Sequence, residues 1–168
     1  MYAEIKGNDA TNGIGVCVSV WMQGCPHRCK GCHNSNLWEF EGGQLLDGFT
    51  RHEILDRLNE NGVDRNLSIL GGEPLCKENL DEVTKLVHLV KTLFPTKQII
   101  VWTGYKYEEV KDLIVMKYID VLIDGRFDID KKDVRLKLRG SSNQRIIDLK
   151  KMRALKDNKL YLWEDYYV

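Results

Sequence analysis

Three cysteines crowd into the eight residues Cys25-Pro26-His27-Arg28-Cys29-Lys30-Gly31-Cys32, and no other feature limits the chemistry of the chain as sharply. The full set is Cys17, Cys25, Cys29, Cys32 and Cys76, an odd number. Thiols so close in sequence are poorly placed for a set of paired disulfides, and in a reducing compartment such a cluster reads as a metal site. The spacing C-x3-C-x2-C aims three thiolates at one centre, which suits zinc or iron in a sulfide cluster. A closed zinc site takes four ligands, usually as two separated pairs, and a second pair is missing here. His33 would complete it only if it and the adjacent Cys32 both turned inward. An iron–sulfur cube held by three protein ligands instead leaves one iron open to a substrate or cofactor. Cys76 offers a rival outcome, as a fourth thiolate closing a plain electron-transfer centre, although a semi-buried free thiol is the favoured reading. Cys17 lies among Val16, Val18 and Val20 and reads as a small hydrophobe.

A chain of 168 residues fits one core and no second domain of ordinary size. Its 25 Lys and Arg balance 25 Asp and Glu, which argues against a general nucleic-acid binder. No stretch approaches the roughly 18 apolar residues of a membrane span. Met1 to Gly7 has neither a basic flank nor an apolar run, so a cytoplasmic protein without a secretion signal is expected.

Periodicity supplies the architecture. Residues 16–22 read as a strand leading into the cysteine loop, and 67–70 as a second strand stopped by Gly71-Gly72-Glu73-Pro74. Residues 98–103 and 121–123 are the third and fourth strands. Between them, Thr50 with Glu53 reads as a capping box opening a helix that lasts to Asn61-Gly62. A long helix runs through Leu80, Val83, Leu86, Val87, Val90 and Leu93 to Pro95, and another is expected over 108–117. Alternating strands and helices imply right-handed crossovers and a mostly parallel α/β sheet. Ligands of such sheets collect at the strands' C-terminal ends. The cysteine loop, Gly71–Pro74, Thr103-Gly104-Tyr105 and Asp124-Gly125-Arg126 all fall there. The chain is too short for an eight-unit barrel, so a partial, open barrel is expected.

The cysteine loop after the first strand, with Gly71-Gly72-Glu73-Pro74 after the second, resembles the radical S-adenosylmethionine (SAM) superfamily. More narrowly, Cys32-His33-Asn34, Val101 to Tyr105, Val121 to Phe127 and Arg139-Gly140-Ser141-Ser142-Asn143-Gln144-Arg145 are similar to the anaerobic (class III) ribonucleotide reductase activating enzymes. The resemblance spans about residues 10 to 148. It implies a partial (βα)6-type radical SAM barrel over residues 1–148, with residues 149–168 as an aromatic-rich tail that is not a separate domain. It implies a 4Fe–4S cluster on Cys25, Cys29 and Cys32, with SAM bound beside Gly31, Cys32 and His33 and against the backbone of Gly71, Gly72 and Glu73. No side chain is then a catalytic residue, because the 5′-deoxyadenosyl radical made from SAM abstracts the hydrogen. The target implied is a glycine of the anaerobic reductase, and a flavodoxin or ferredoxin would supply the electron. No nucleic-acid or membrane partner is implied.

One departure stands out. Many radical SAM enzymes carry an aromatic residue just before the third cysteine, where this chain has Gly31, so His33 or Trp38 is left as the ring beside adenine. Trp102, Thr103, Asp124, Arg139 and Asn143 lie in family-like stretches, though a Trp in a β-rich run is usually core and a Gly-Ser-Ser-Asn run usually a turn. The tail, with Leu160, Tyr161, Leu162, Trp163, Tyr166 and Tyr167, is expected to pack on the domain, pair with a second subunit or touch the reductase. The competing readings are another radical SAM enzyme, of the pyruvate formate-lyase activase or 7-carboxy-7-deazaguanine synthase type, and a non-catalytic zinc or iron–sulfur module.

Overall fold

Among the described residues of the computed structural model, 1–156 and 159–163, six strands form one sheet in the order of the chain. They are β1 (Tyr2–Asp9), β2 (Cys17–Met22), β3 (Asn66–Gly71), β4 (Ile99–Trp102), β5 (Val121–Asp124) and β6 (Arg145–Asp148). The four expected strands are its parallel centre, with Val20 level with Ile69 and Ile69 level with Val101. The two borders are additions that periodicity did not reveal: β1 and β6 each pair antiparallel with their neighbour. Only three of the five pairings are parallel, and the sheet is open between β1 and β6. Tyr166 and Tyr167 of the tail lie outside the described residues.

The centre strands are buried on both faces and are correspondingly rich in Val, Ile and Leu. Val18, Val20 and Met22 of β2, with Leu67, Ile69, Ile99, Val101 and Leu122, face the helices α1 (Gly48–Asn59) and α2 (Lys77–Leu93). From α1 come Ile54, Leu55 and Leu58, and from α2 Val83, Leu86, Val87 and Val90. Each such side chain contributes about 1.5–3 kcal/mol on burial. The opposite face carries a smaller cluster of Cys17, Ile100, Val121, Ile123 and Ile146, covered by Ile14, Trp102, Leu138 and Trp163. Loops rather than helices cover that face, and the candidate site opens there.

Two helix expectations are corrected. The cap of α1 is Asp47, whose carboxylate accepts the Thr50 N–H at 2.9 Å. Thr50 lies inside the first turn and donates its hydroxyl to the Leu45 carbonyl, while Glu53 pairs with Arg57 one turn on. The helix expected over 108–117 is broken into α3 (Tyr107–Val110) and a 3₁₀ turn at Ile114–Lys117, because Leu113 between them is extended. The final helix, α4 (Leu149–Leu155), follows β6 directly, and the described part of the tail packs on the domain: Ile147 bridges Leu162, and Trp163 donates its N–H to the Ile146 carbonyl. Among the described residues no helix is long and apolar enough to cross a membrane.

At the strands' opposite ends, the buried carboxylate of Asp120 accepts from Lys91 Nζ at 2.6 Å, the Ile99 N–H at 2.9 Å and Arg153 Nη2 at 3.1 Å. It joins α2, β4 and α4. Asp120→Ala removes the counter-charge of the half-buried Lys91 ammonium and of Arg153 and leaves the Ile99 N–H without its acceptor, so we expect a loss of about 2–4 kcal/mol and a fall in Tm on the order of 10 °C, read by thermal denaturation followed by circular dichroism.

Candidate cofactor site

The cysteine loop and the turns after β3, β4 and β5 leave the C-terminal ends of parallel strands, where crossovers leave a crevice. A cavity of about 420 Å³ sits there, lined by Cys25, Cys29, Cys32 and His33 from the cysteine loop and by Gly71, Gly72 and Glu73 from the turn after β3. Trp21, Leu70 and Trp102 also line it, and strand register puts Trp21 level with Leu70. Gly31, expected against the cofactor, is not among the lining residues. Its backbone is left-handed (φ +73°), and a Cβ there would press on Ile129 at 2.8 Å. A side chain before Cys32 would be strained by this left-handed backbone. Trp38 also lies off the cavity, beneath the Arg28 guanidinium.

The turn after β3 is stitched to the end of β2. Gly72 N–H donates to the Met22 carbonyl and Glu73 N–H to the Gly24 carbonyl, both at 2.8 Å. A Cβ on Gly72 would collide with the Gly24 carbonyl, so the approach requires glycine. From this turn the Glu73 side chain, 1% exposed, points inward and meets donors from three loops. One oxygen accepts from Leu75 N–H at 2.9 Å and Thr103 Oγ1 at 2.7 Å; the other accepts from Gly104 N–H at 2.7 Å and His27 Nε2 at 2.9 Å. The glutamate thus serves the site through its carboxylate as a tie between loops, while its carbonyl accepts from Asn79 Nδ2 at 3.0 Å.

His27 is the residue that reasoning from sequence missed. Its ring, 3% exposed, lies edge-on to Tyr105 with centroids 4.5 Å apart, directly over Gly104, where any Cβ would collide with it. A histidine inside a cysteine loop carries no periodic signal, and only the pairing partner 46 positions away reveals its role.

The thiols differ in setting. Burial pushes Cys25 upward from the ordinary thiol range; the His27 and Arg28 backbone amides act against that as hydrogen-bond donors to its sulfur, and the Glu73 charge adds to the rise. Cys29 is raised by burial and then by its neighbour Cys32, with the Arg126 guanidinium opposing. The Asn34 N–H reaches Cys32 Sγ at 3.4 Å. Cys76 lies outside the cavity at the start of α2, 2% exposed, and burial pushes its thiol up to about 12. Cys17 is fully buried among apolar residues and is raised to about 11. Neither is placed with the loop thiols. Asp124 is bound to Arg145 and accepts the Tyr107 N–H at 2.7 Å, so its carboxylate braces the β5 end. Trp102 donates to the Leu138 carbonyl at 2.7 Å, and Arg139 to the Gln144 carbonyl at 2.9 Å; both line the cavity. Asn143 donates to the Arg126 carbonyl and does not line it.

Among the described residues no three His, Cys, Asp or Glu side chains converge tightly enough to hold a single metal ion. The donor set that does share one cavity is three thiols, the soft ligands of an iron–sulfur cube, with no fourth thiol beside them. Residues 11–147 match the family model of a 4Fe-4S single cluster domain. The anaerobic ribonucleoside-triphosphate reductase-activating protein of Enterobacteria phage T4 is 40% identical over 145 residues, covering 86% of this chain and 92% of the relative. The proteins of the same name from Haemophilus influenzae and Escherichia coli K12 are each 38% identical over 146 residues, covering 85% of this chain and 94% and 95% of the relatives. This chain belongs to that family. In this member of the activating-protein family, the matched 4Fe-4S region takes in the cysteine loop, the Gly-Gly-Glu turn and the strands that carry them.

The seat of His27 on Gly104 is directly testable. Gly104→Ala forces the imidazole off its place, so we expect a stability loss of about 1–3 kcal/mol and weakened retention of iron and sulfide after anaerobic reconstitution, read by denaturant unfolding and by iron and sulfide assay.

Proposed function

We propose that this chain is a radical SAM activase that makes the glycyl radical of an anaerobic ribonucleotide reductase. The observation carrying the proposal is one cavity that holds Cys25, Cys29 and Cys32 together with the backbone of Gly71, Gly72 and Glu73. The names of the relatives favour this activase over one for pyruvate formate-lyase or a 7-carboxy-7-deazaguanine synthase. The open sheet with its loops at one end is compatible with a partial radical SAM barrel.

When bound, the cluster and SAM supply one-electron cleavage of the sulfonium, giving methionine and a 5′-deoxyadenosyl radical that takes hydrogen from a glycine of the partner. The protein's residues provide the setting. Cys25, Cys29 and Cys32 would hold the cluster through their thiolates, and no fourth thiol lines the cavity beside them. The backbone of Gly71 to Glu73 receives the SAM amino group, with no side chain on the two glycines to keep the ligand away. His33, which lines the cavity, is the proposed neighbour of the adenosyl portion. Trp21 and Trp102 bound the cavity with apolar surface and limit water around the reactive centre. The partner's glycine must come within roughly 3–3.5 Å of the abstracting atom, so its loop would enter through the cavity mouth at the strands' C-terminal ends. A flavodoxin or ferredoxin in the cytoplasm is the proposed electron source.

Two outcomes are expected. Cys29→Ser abolishes 5′-deoxyadenosine formation from SAM under dithionite, measured by liquid chromatography, whereas Cys76→Ser keeps the cluster and at least about half of wild-type cleavage because its thiol lies off the cavity. An anaerobic mixture of protein, SAM, reductant and the reductase gives a glycyl doublet in electron paramagnetic resonance. One zinc per chain with no sulfide, or SAM cleavage without that doublet, overturns the proposal.

A further inference from the structure

One turn lies against the cysteine loop outside the cofactor cavity. Gly31, between Cys29 and Cys32, carries no side chain, and Ile129 rests on its backbone, so close that a Cβ would meet Ile129 Cδ1 at 2.8 Å. Ile129 opens the 3₁₀ turn Ile129–Lys131, does not line the cavity and is 36% exposed. One apolar side chain thus touches both the thiol-bearing loop and the outside of the molecule. The turn is well anchored: Asp128 N–H donates to Ser141 Oγ at 3.1 Å, and Ser142 N–H to the Lys131 carbonyl at 2.9 Å. Two serines of the Arg139 to Arg145 stretch therefore hold it in place.

Cations surround this apolar point. Lys30 adjoins Gly31, Arg126 precedes the turn, and Lys131 and Lys132 close it; all four are exposed. Arg126 and Lys131 line one cavity beside the cofactor cavity. Among the described residues Lys30, Arg126 and Lys132 form no ion pair, whereas the carboxylates nearby are engaged, Asp128 by Lys131 at 3.2 Å and Asp133 by Arg135 at 2.9 Å. Asp130 alone opposes the excess. The chain as a whole is neutral, so the excess is local. Weak electron-transfer encounters use small interfaces, roughly 1,200 Å² or less, where charge speeds the approach and sets the register. Electron transfer weakens steeply with distance, so a carrier needs a surface next to the thiols and outside the cavity that SAM is proposed to fill.

We propose that the Ile129 turn and the cations around it form the docking surface of the electron donor, an acidic flavodoxin-type carrier that sets the apolar edge of its flavin on Ile129. One electron leaves the flavin hydroquinone, which becomes the semiquinone, and enters the cluster; no bond forms or breaks. This rests on the reading that Cys25, Cys29 and Cys32 hold a 4Fe–4S cluster, and it adds where the electron enters. A carrier whose redox centre is enclosed by protein, as in a ferredoxin, offers no such apolar edge to Ile129.

The test uses the full chain, anaerobically reconstituted, with a flavodoxin as the probe. Wild type is first assayed for iron, sulfide and the dithionite-reduced cluster signal; failure there refutes the cluster reading itself and is distinct from failure of this inference. Two readouts follow: the dissociation constant for oxidised flavodoxin, by fluorescence anisotropy of a dye-labelled carrier, and the rate of cluster bleaching on mixing with flavodoxin hydroquinone, by stopped flow. In Lys131→Glu/Lys132→Glu at low ionic strength, both are expected to weaken about tenfold or more, while reduction by dithionite stays within about twofold of wild type. Added salt is expected to slow the wild type toward the variant. Ile129→Ala is expected to slow bleaching several-fold. Lys150→Glu/Lys151→Glu, an equal change of charge at the far end of the sheet, where Lys150 N–H meets the Asp120 carbonyl, is expected to leave both readouts near wild type. Unchanged readouts in the Lys131/Lys132 double variant, or unchanged bleaching in Ile129→Ala, overturn the inference. An equal loss in the Lys150/Lys151 double variant also overturns it, since bulk charge would then be responsible. A loss seen only when a ferredoxin replaces flavodoxin, or a weaker glycyl doublet under dithionite, overturns it as well, the latter by assigning the surface to the reductase. If the Lys131/Lys132 double variant fails to hold a cluster, Lys132→Glu alone must weaken both readouts about threefold or more, and no loss in it refutes the proposal.

Discussion

Four donors from three loops meet on the Glu73 carboxylate: two backbone amides, a threonine hydroxyl and an imidazole. A carboxylate so deeply buried is stable only when its lone pairs are satisfied, and its donors here come from different elements. Leu75 belongs to the turn itself, Thr103 and Gly104 to the end of β4, and His27 to the cysteine loop. The Glu73 side chain therefore adds a shared tie to the backbone bonds and ring packing that already hold these loops together. Burying a charged group among loops costs desolvation energy, and the charge-assisted bonds offset it.

That arrangement explains why the site assembles where it does. The parallel strands bring the loop starts to one end of the sheet at the spacing of neighbouring strands, roughly 4.8 Å. Gly72 allows the turn after β3 to touch the end of β2, and Gly104 allows the imidazole to lie on the turn after β4. The three thiols then share one cavity wall, while Cys17 and Cys76, equally cysteine by composition, are buried away from it. Placement, and not residue type, separates the thiols of the cavity from the others.

Much of this was legible in the chain itself. The runs that become β2 to β5 are apolar and short enough to read as buried strands, and the loops after them carry Gly, Asp and Cys where a strand stops. The borders were harder. β1 alternates Glu4, Lys6 and Asn8 with half-buried positions, so its polar outer face hides it, and β6 offers only Ile146 and Ile147 as apolar residues. The α1 cap was misread because Asp47 and Thr50 both suit the role, and the choice falls to the backbone of Asp47, which is extended just where a cap must be. The contact between His27 and Glu73 has no local signature at all; it exists only because two turns distant in sequence end at the same height above the sheet.

The two borders of the sheet carry a further consequence. Tyr2 and Gln44 exchange both backbone hydrogen bonds along the outer side of β1, and the segment around Tyr161 and Trp163 does the same office for β6, with Asp148 N–H reaching the Tyr161 carbonyl. Unpaired strand rims invite other chains to add on as extra strands, and here parts of both rims are already engaged by short pieces of the chain itself. Growth of the sheet by lateral recruitment of a neighbour along these stretches is thereby discouraged.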